Sequence, residues 1–186
     1  MVTEPRRRLF DVDEFHRMGE AGILREEPRV ELVHGEIIER PPIGPEHLGR
    51  VNRLNRVLVT RLAGRAVISP QNPLLLGRRS EPQPDIVVLR PRDDDYMTRL
   101  PRTEDVLLVI EVADSSFAYD RIVKRELYGS AGLPEYWLLD VNGRALEVYR
   151  GPCPAGYTTY ERLLAGQSVG PEAFPDCVLD VGEIVG

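Results

Sequence analysis

Pro84-Asp85 precedes the apolar run Ile86 to Leu89, Glu111 lies inside Val109-Ile110-Glu111-Val112, and Asp120-xxx-Lys124 follows on a segment patterned as a helix. A carboxylate among β-branched residues loses its hydration unless it is paired or bound to a cation, so Glu111 carries the strongest chemical signal in the chain. If the two runs are neighbouring strands, Asp85 and Glu111 converge at one sheet edge and offer oxygen ligands to Mg²⁺, with Mn²⁺ able to substitute. Such an ion polarises a phosphodiester, stabilises developing negative charge and acidifies the attacking water. A lysine beside it orients that water or neutralises the transition state. Lys124 is the one lysine of the chain, the other basic side chains being arginines. A compact ammonium is a better partner for a single activated water than a fixed guanidinium fork.

Each residue also has a plainer reading. Asp120 can be a helix cap, Asp120 with Lys124 an exposed i,i+4 pair, Glu111 a strand-end acid paired with arginine, and Asp85 a turn residue after proline. Glu31, in Val30-Glu31-Leu32-Val33-His34-Gly35, is either a third carboxylate of the site or an outward strand residue. His47, near the start of the arginine-bearing helix, is either a phosphate contact or an incidental helix-entry histidine, and Gln71 and the run Asp93 to Asp95 give no specific signal. Tyr136 and Trp137 lie on an apolar stretch and read as core.

The elements that must position these residues follow from periodicity. Asp11 caps a helix through Asp13 to Gly19, Arg29 to Glu39 alternates around a turn at Gly35, and Glu46 to Ala63 repeats apolar residues (Leu48, Val51, Leu54, Leu58, Leu62) at helical spacing. A short strand is expected near Ala66 to Ser69. The continuous apolar runs Ile86 to Leu89, Val106 to Val112 and Tyr136 to Leu139 suit strands buried on both faces. Pro91 to Thr103 reads as a surface loop, and Asp120 as the cap of a helix over Arg121 to Ser130 stopped by Gly132 and Pro134. Asn142-Gly143 predicts a type I′ hairpin with Ala145 to Arg150 returning. Short strands and proline-rich connections are expected after that.

With 186 residues the chain suits one domain over residues 1–186. A hydrophobic content of 42% and a charged content of 29% fit a soluble protein, and no stretch approaches a membrane span. Met1 to Phe10 lacks the apolar segment of a secretory leader, which predicts a cytoplasmic location. Cys153 and Cys177 have no CxxC or histidine partners, so neither zinc nor a disulfide is expected. A net charge of -6 opposes broad binding to nucleic acid, leaving local arginine patches to contact phosphate.

These motifs resemble the Uma-type family of putative restriction endonucleases, a branch of the PD-(D/E)xK nuclease-like superfamily. The resemblance rests on Glu31-Leu32-Val33-His34-Gly35-Glu36-Ile37, His47, Pro84-Asp85-Ile86-Val87-Val88, Ile110-Glu111-Val112, Ser115-Ser116, Asp120-xxx-Lys124-xxx-Tyr128 and Gly132-Leu133-Pro134-Glu135-Tyr136-Trp137. It implies an α/β (α+β) restriction-endonuclease-like core, a mixed sheet flanked by helices. It also implies Asp85 and Glu111 as metal-binding acids, Glu31 as an added acid and Lys124 as the catalytic lysine. One departure is plain: two residues after the second acid, where the superfamily places its lysine, this chain has Ala113, so Lys124 must substitute from the helix. The expected activity is Mg²⁺-dependent endonucleolytic hydrolysis of DNA, with a homodimer by analogy to enzymes that cut two strands. The alternative is a non-catalytic binding or assembly module on the same fold.

Overall fold

The computed structural model describes residues 6–25 and 29–186, so the leader reading for Met1 to Phe10 lies partly outside the described residues. Asp11 caps α1 (Val12–Glu20) through a reciprocal box, its carboxylate accepting from the Glu14 amide while the Glu14 side chain accepts from the Asp11 amide. β1 (Val30–Val33) and β2 (Glu36–Glu39) form an antiparallel hairpin. Its two turn residues, His34 (φ 52°) and Gly35 (φ 83°), both occupy the left-handed region that a type I′ turn requires. Gly35 is also required sterically, because a Cβ there would stand 2.8 Å from Leu9 Cβ. Pro45 opens α2 (Pro45–Arg61), where a missing amide costs no hydrogen bond, and Val51, Leu54, Val57 and Leu58 form its buried face.

The main sheet runs β3 (Val67–Pro70), β4 (Ile86–Leu89), β5 (Val106–Ala113), β6 (Glu135–Asp140), β7 (Ala145–Cys153), β8 (Gly156–Leu164). Neighbours are antiparallel except β5 and β6, which are parallel and therefore need a crossover. The crossover is one helical segment: α3 (Phe117–Tyr119), a π-helical turn over Asp120–Lys124, and α4 (Arg125–Ser130). One sheet face, with Ile86, Leu108, Ile110 and Trp137, packs in one core with α2 and α5 (Val181–Val185). The other, with Val87, Val109, Tyr136 and Leu138, shares its core with the crossover and β1. Every residue of β4, β5 and β6 is buried, which is why these strands read as continuous apolar runs. The expected mixed sheet flanked by helices is thus what the chain forms. No helix among the described residues is long and apolar enough to cross a membrane, and both cysteines are free.

Three local expectations are corrected. Asp120 caps nothing: the helix begins earlier, at Phe117, and Asp120 has helical backbone angles and lies buried inside it. Asp120 with Lys124 is therefore not an exposed pair. The β6–β7 hairpin exists, but its loop spans Val141 to Arg144 and the left-handed residue is Arg144 (φ 46°), not Asn142 or Gly143. The Asp140 carboxylate accepts from the Gly143 amide at 2.8 Å and so closes a different turn. Beyond Cys153 the chain forms a nine-residue strand, β8, before the short β9 (Ser168–Val169) and β10 (Leu179–Asp180). β8 is an edge strand with mostly exposed residues, so it carries little apolar alternation to read.

The crossover approaches β8 most closely at Gly129, where a Cβ would fall 1.8 Å from the Gly156 carbonyl oxygen. Gly129→Ala is expected to destabilise by about 1–3 kcal/mol, because backbone meets backbone and no side chain can yield. A lower urea midpoint at unchanged m-value is the result to look for.

Candidate active site

The pairing of β4 with β5 sets Ile86 opposite Ile110, so one step further out Asp85 stands opposite Glu111 on the same sheet face. The backbone locks the two acids together: the Asp85 amide donates to Glu111 Oε2 (3.2 Å), and the Val112 amide donates to Asp85 Oδ2 (2.8 Å). On the outer side, His47 Nε2 lies 2.9 Å from Asp85 Oδ1, and Gln71 Nε2 donates to the same oxygen at 3.4 Å.

The crossover helix supplies the cation. Lys124 Nζ is fully buried, donates to Glu111 Oε1 at 3.3 Å and forms an ion pair with Glu31 Oε2 at 2.6 Å, although the angle of the latter contact is outside hydrogen-bond geometry. Tyr128 OH donates to Glu111 Oε1 at 2.5 Å. Glu31 reaches inward from β1, almost wholly buried, and accepts from the Gln83 amide at 3.1 Å. A π turn holds one more residue than an α turn, and such turns concentrate at functional sites. Here it brings Asp120 and Lys124 both inside, but only Lys124 and Tyr128 converge on Glu111. Asp120 instead accepts from Ser116 Oγ (2.5 Å) and lies 3.7 Å from Arg40 Nη1, which is equally far from Glu31 Oε1.

Burial sets the electrostatics. Desolvation, reinforced by the Asp85 and Asp120 charges, outweighs Lys124 and pushes Glu111 up to about 7. Burial opposes ionisation of Asp85 as well, but the His47 contact, the Val112 amide and Arg40 together hold it below the usual carboxylate range. Desolvation disfavours charged Lys124, yet Glu111 and Glu31 hold it above its ordinary value, so the ammonium persists at neutral pH. His47 is raised, chiefly by its contact with Asp85. Burial also raises Asp120, and it raises Tyr128 far enough to keep the phenol a donor.

Glu31, Asp85, Glu111 and Asp120 outnumber the permanent cations Arg40 and Lys124, and burial disfavours the ionised forms of Glu111 and Asp120, a cost that a divalent cation at the site would relieve. Glu31 Oε2 and Asp120 Oδ1 are buried without a hydrogen-bond partner. Among the described residues no three His, Cys, Asp or Glu side chains gather as a metal-holding group. Asp85 and Glu111, side by side on one sheet face, are the carboxylates a divalent ion would use there, and Mg²⁺ is an ion that binds through one or two carboxylates and keeps several waters.

All the acids singled out in the sequence meet here, and so does Lys124. His47, read as a phosphate contact or an incidental residue, touches Asp85 instead, and so does Gln71, which carried no signal of its own. Arg40 was not singled out at all; as one arginine among many directly after a strand, it had nothing to mark it.

A family model described as "Putative restriction endonuclease" matches residues 12–182. Among solved structures, a protein from Anabaena variabilis described as a putative nuclease belonging to DUF820 superposes with a TM-score of 0.76 at 19% identity, covering 95% of this chain and 97% of its own. That likeness shows the fold. No curated protein matches.

Proposed function

The chain belongs to the Uma2 family, and from that membership we propose that it is a nuclease hydrolysing phosphodiester bonds of DNA, with Mg²⁺ held by Asp85 and Glu111. The observation that carries this reading is the buried Lys124 ammonium, delivered by the crossover helix to Glu111 in place of the lysine that Ala113 lacks. When bound, the ion supplies charge neutralisation at the phosphodiester and a more acidic attacking water. The protein's own residues do the rest. Lys124 is held protonated, so it contributes positive charge beside the acids and does not act as the base. Tyr128 and Glu31 fix its position, and His47 and the Val112 amide fix the Asp85 carboxylate. Water oxygen forms the new bond to phosphorus as the bridging P–O bond breaks, and the leaving oxygen ends protonated.

A second reading has its own support: each carboxylate oxygen of Asp85 and Glu111 already accepts a hydrogen bond, as in a self-neutralised binding module. Thermal melting separates the two. Under the nuclease reading Mg²⁺ or Mn²⁺ raises the melting temperature, by an amount equivalent to about 2.7 kcal/mol at a hundredfold excess over Kd, and a panel of DNA substrates is cut. Cleavage of RNA alone would correct the substrate. Neither stabilisation nor cleavage would leave the binding module.

A further inference from the structure

Among the described residues that touch the buried acids, Gln71 alone has a left-handed backbone, with φ 52°. That region favours glycine and, after it, asparagine. β3 and β4 pair as far as Pro70 opposite Ile86, and the ladder runs one step further, the Gln71 amide donating to the Asp85 carbonyl at 3.1 Å. Gln71 therefore stands opposite Asp85. Pro73 disfavours helical angles at Asn72, so the turn out of β3 falls on Gln71. An asparagine is next door, at 72, where its Nδ2 donates to Ser69 Oγ at 2.9 Å, yet the left-handed position carries a glutamine. Strain of this kind collects at functional sites.

What the glutamine adds is reach. Its Nε2 donates to Asp85 Oδ1 at 3.4 Å, the oxygen that also meets His47. Charge sets the orientation of the carboxamide, since its oxygen turned toward that carboxylate would be repelled. Asp85 is buried and few donors hold its carboxylate: the Val112 amide on one oxygen, His47 and Gln71 on the other. Glycine or asparagine would suit the backbone at 71 better and fall short of the acid.

We propose that Gln71 is a positioning residue: it clamps Asp85 by backbone and side chain together and sets the carboxylate for a divalent cation, and the chain keeps a left-handed glutamine for that role. The clamp stands on geometry alone; its use in holding a cation rests on the nuclease reading.

Two measurements on the full chain test it, and neither reads cleavage. In metal-free buffer, urea melts of Gln71→Gly are compared in the native and Asp85→Ala backgrounds. Glycine relieves the left-handed residue in both, but only in the native background does it also remove a hydrogen bond to Asp85. Its midpoint should therefore shift further upward in Asp85→Ala than in the native chain. Equal shifts would overturn the clamp. Mn²⁺ is then titrated calorimetrically into the native chain, Gln71→Gly and Gln71→Met. Methionine keeps the length of the side chain and the left-handed strain but has no N–H, so it gives an answer even if Asp85→Ala fails to fold. Both variants should bind Mn²⁺ about 10–100-fold more weakly, the usual effect of removing a partner of a ligating group. Undiminished affinity in either would overturn the positioning role. A native chain that binds no Mn²⁺ would overturn the metal reading of Asp85 and Glu111, and Gln71's part in it, while the melts would still decide the clamp.

Discussion

Lys124→Ala is expected to cost about 3–5 kcal/mol at pH 8, because it strands Glu31 and Glu111 as buried carboxylates without their cation. Both acids and the ammonium are within 1% of complete burial, so water cannot replace the lost partner. The pH dependence gives the mechanism away. Burial already raises Glu111 to about 7, against an ordinary value of 4.5, and loss of the ammonium removes the group that holds it down. A carboxyl whose folded pKa lies above its unfolded one destabilises progressively as pH rises from the unfolded value to the folded one. Up to about 7 Glu111 is protonated in both folded proteins and both lose stability alike, so the deficit of Lys124→Ala relative to the native chain grows only above about 7, where the native Glu111 ionises beside Lys124 and that of the variant stays protonated. Urea melts at several pH values check this. A deficit independent of pH would mean that the lysine contributes packing only. Cleavage should also be lost, since Ala113 leaves no second lysine in reach.

Glu111→Gln tests the metal site directly. The substitution keeps the shape and removes a charge that burial disfavours. It also turns one of two accepting oxygens into an NH₂ facing the Asp85 amide or the Lys124 and Tyr128 donors, so the metal-free protein at pH 8 should lose about 1–3 kcal/mol although Lys124 keeps Glu31 as its partner. Stabilisation by Mg²⁺ should disappear, and cleavage should fall by about 10²–10³-fold or more, the range for loss of one preorganised electrostatic group. In the native chain, carboxylate ionisation must accompany metal binding, so Mg²⁺ affinity should rise with pH through about 7, the value to which burial lifts Glu111. Retained Mg²⁺ stabilisation in Glu111→Gln would remove Glu111 from the proposed ligand set.

Much of this site was legible before any fold. Glu111 announced itself because an ionisable residue inside Val109 to Val112 contradicts its surroundings, and Lys124 because it is the one lysine. Asp85 stood out at the mouth of a continuous apolar run, whereas Glu31, on an alternating segment, read equally as a site acid or an outward residue until the fold turned it inward. The sequence by itself determined the central strands, the first two helices and the meeting of Asp85 with Glu111, since these rest on local pattern and on the cost of burying charge.

What only the tertiary structure decided is how the meeting is arranged. Asp120 has the residue type of a cap, and local pattern cannot distinguish a cap from an acid one turn inside a helix that begins with Phe117. The π turn seats Lys124 against Glu31 and Glu111, which come from two other strands, and Asp120 against Arg40, so its partners are distant in the chain. His47, Gln71 and Arg40 are ordinary in their own surroundings and acquire significance only through Asp85 and Asp120, 14 to 80 residues away. Period and burial cost are properties of a segment. The partners that make a buried charge tolerable come from other segments, and only folding brings them together.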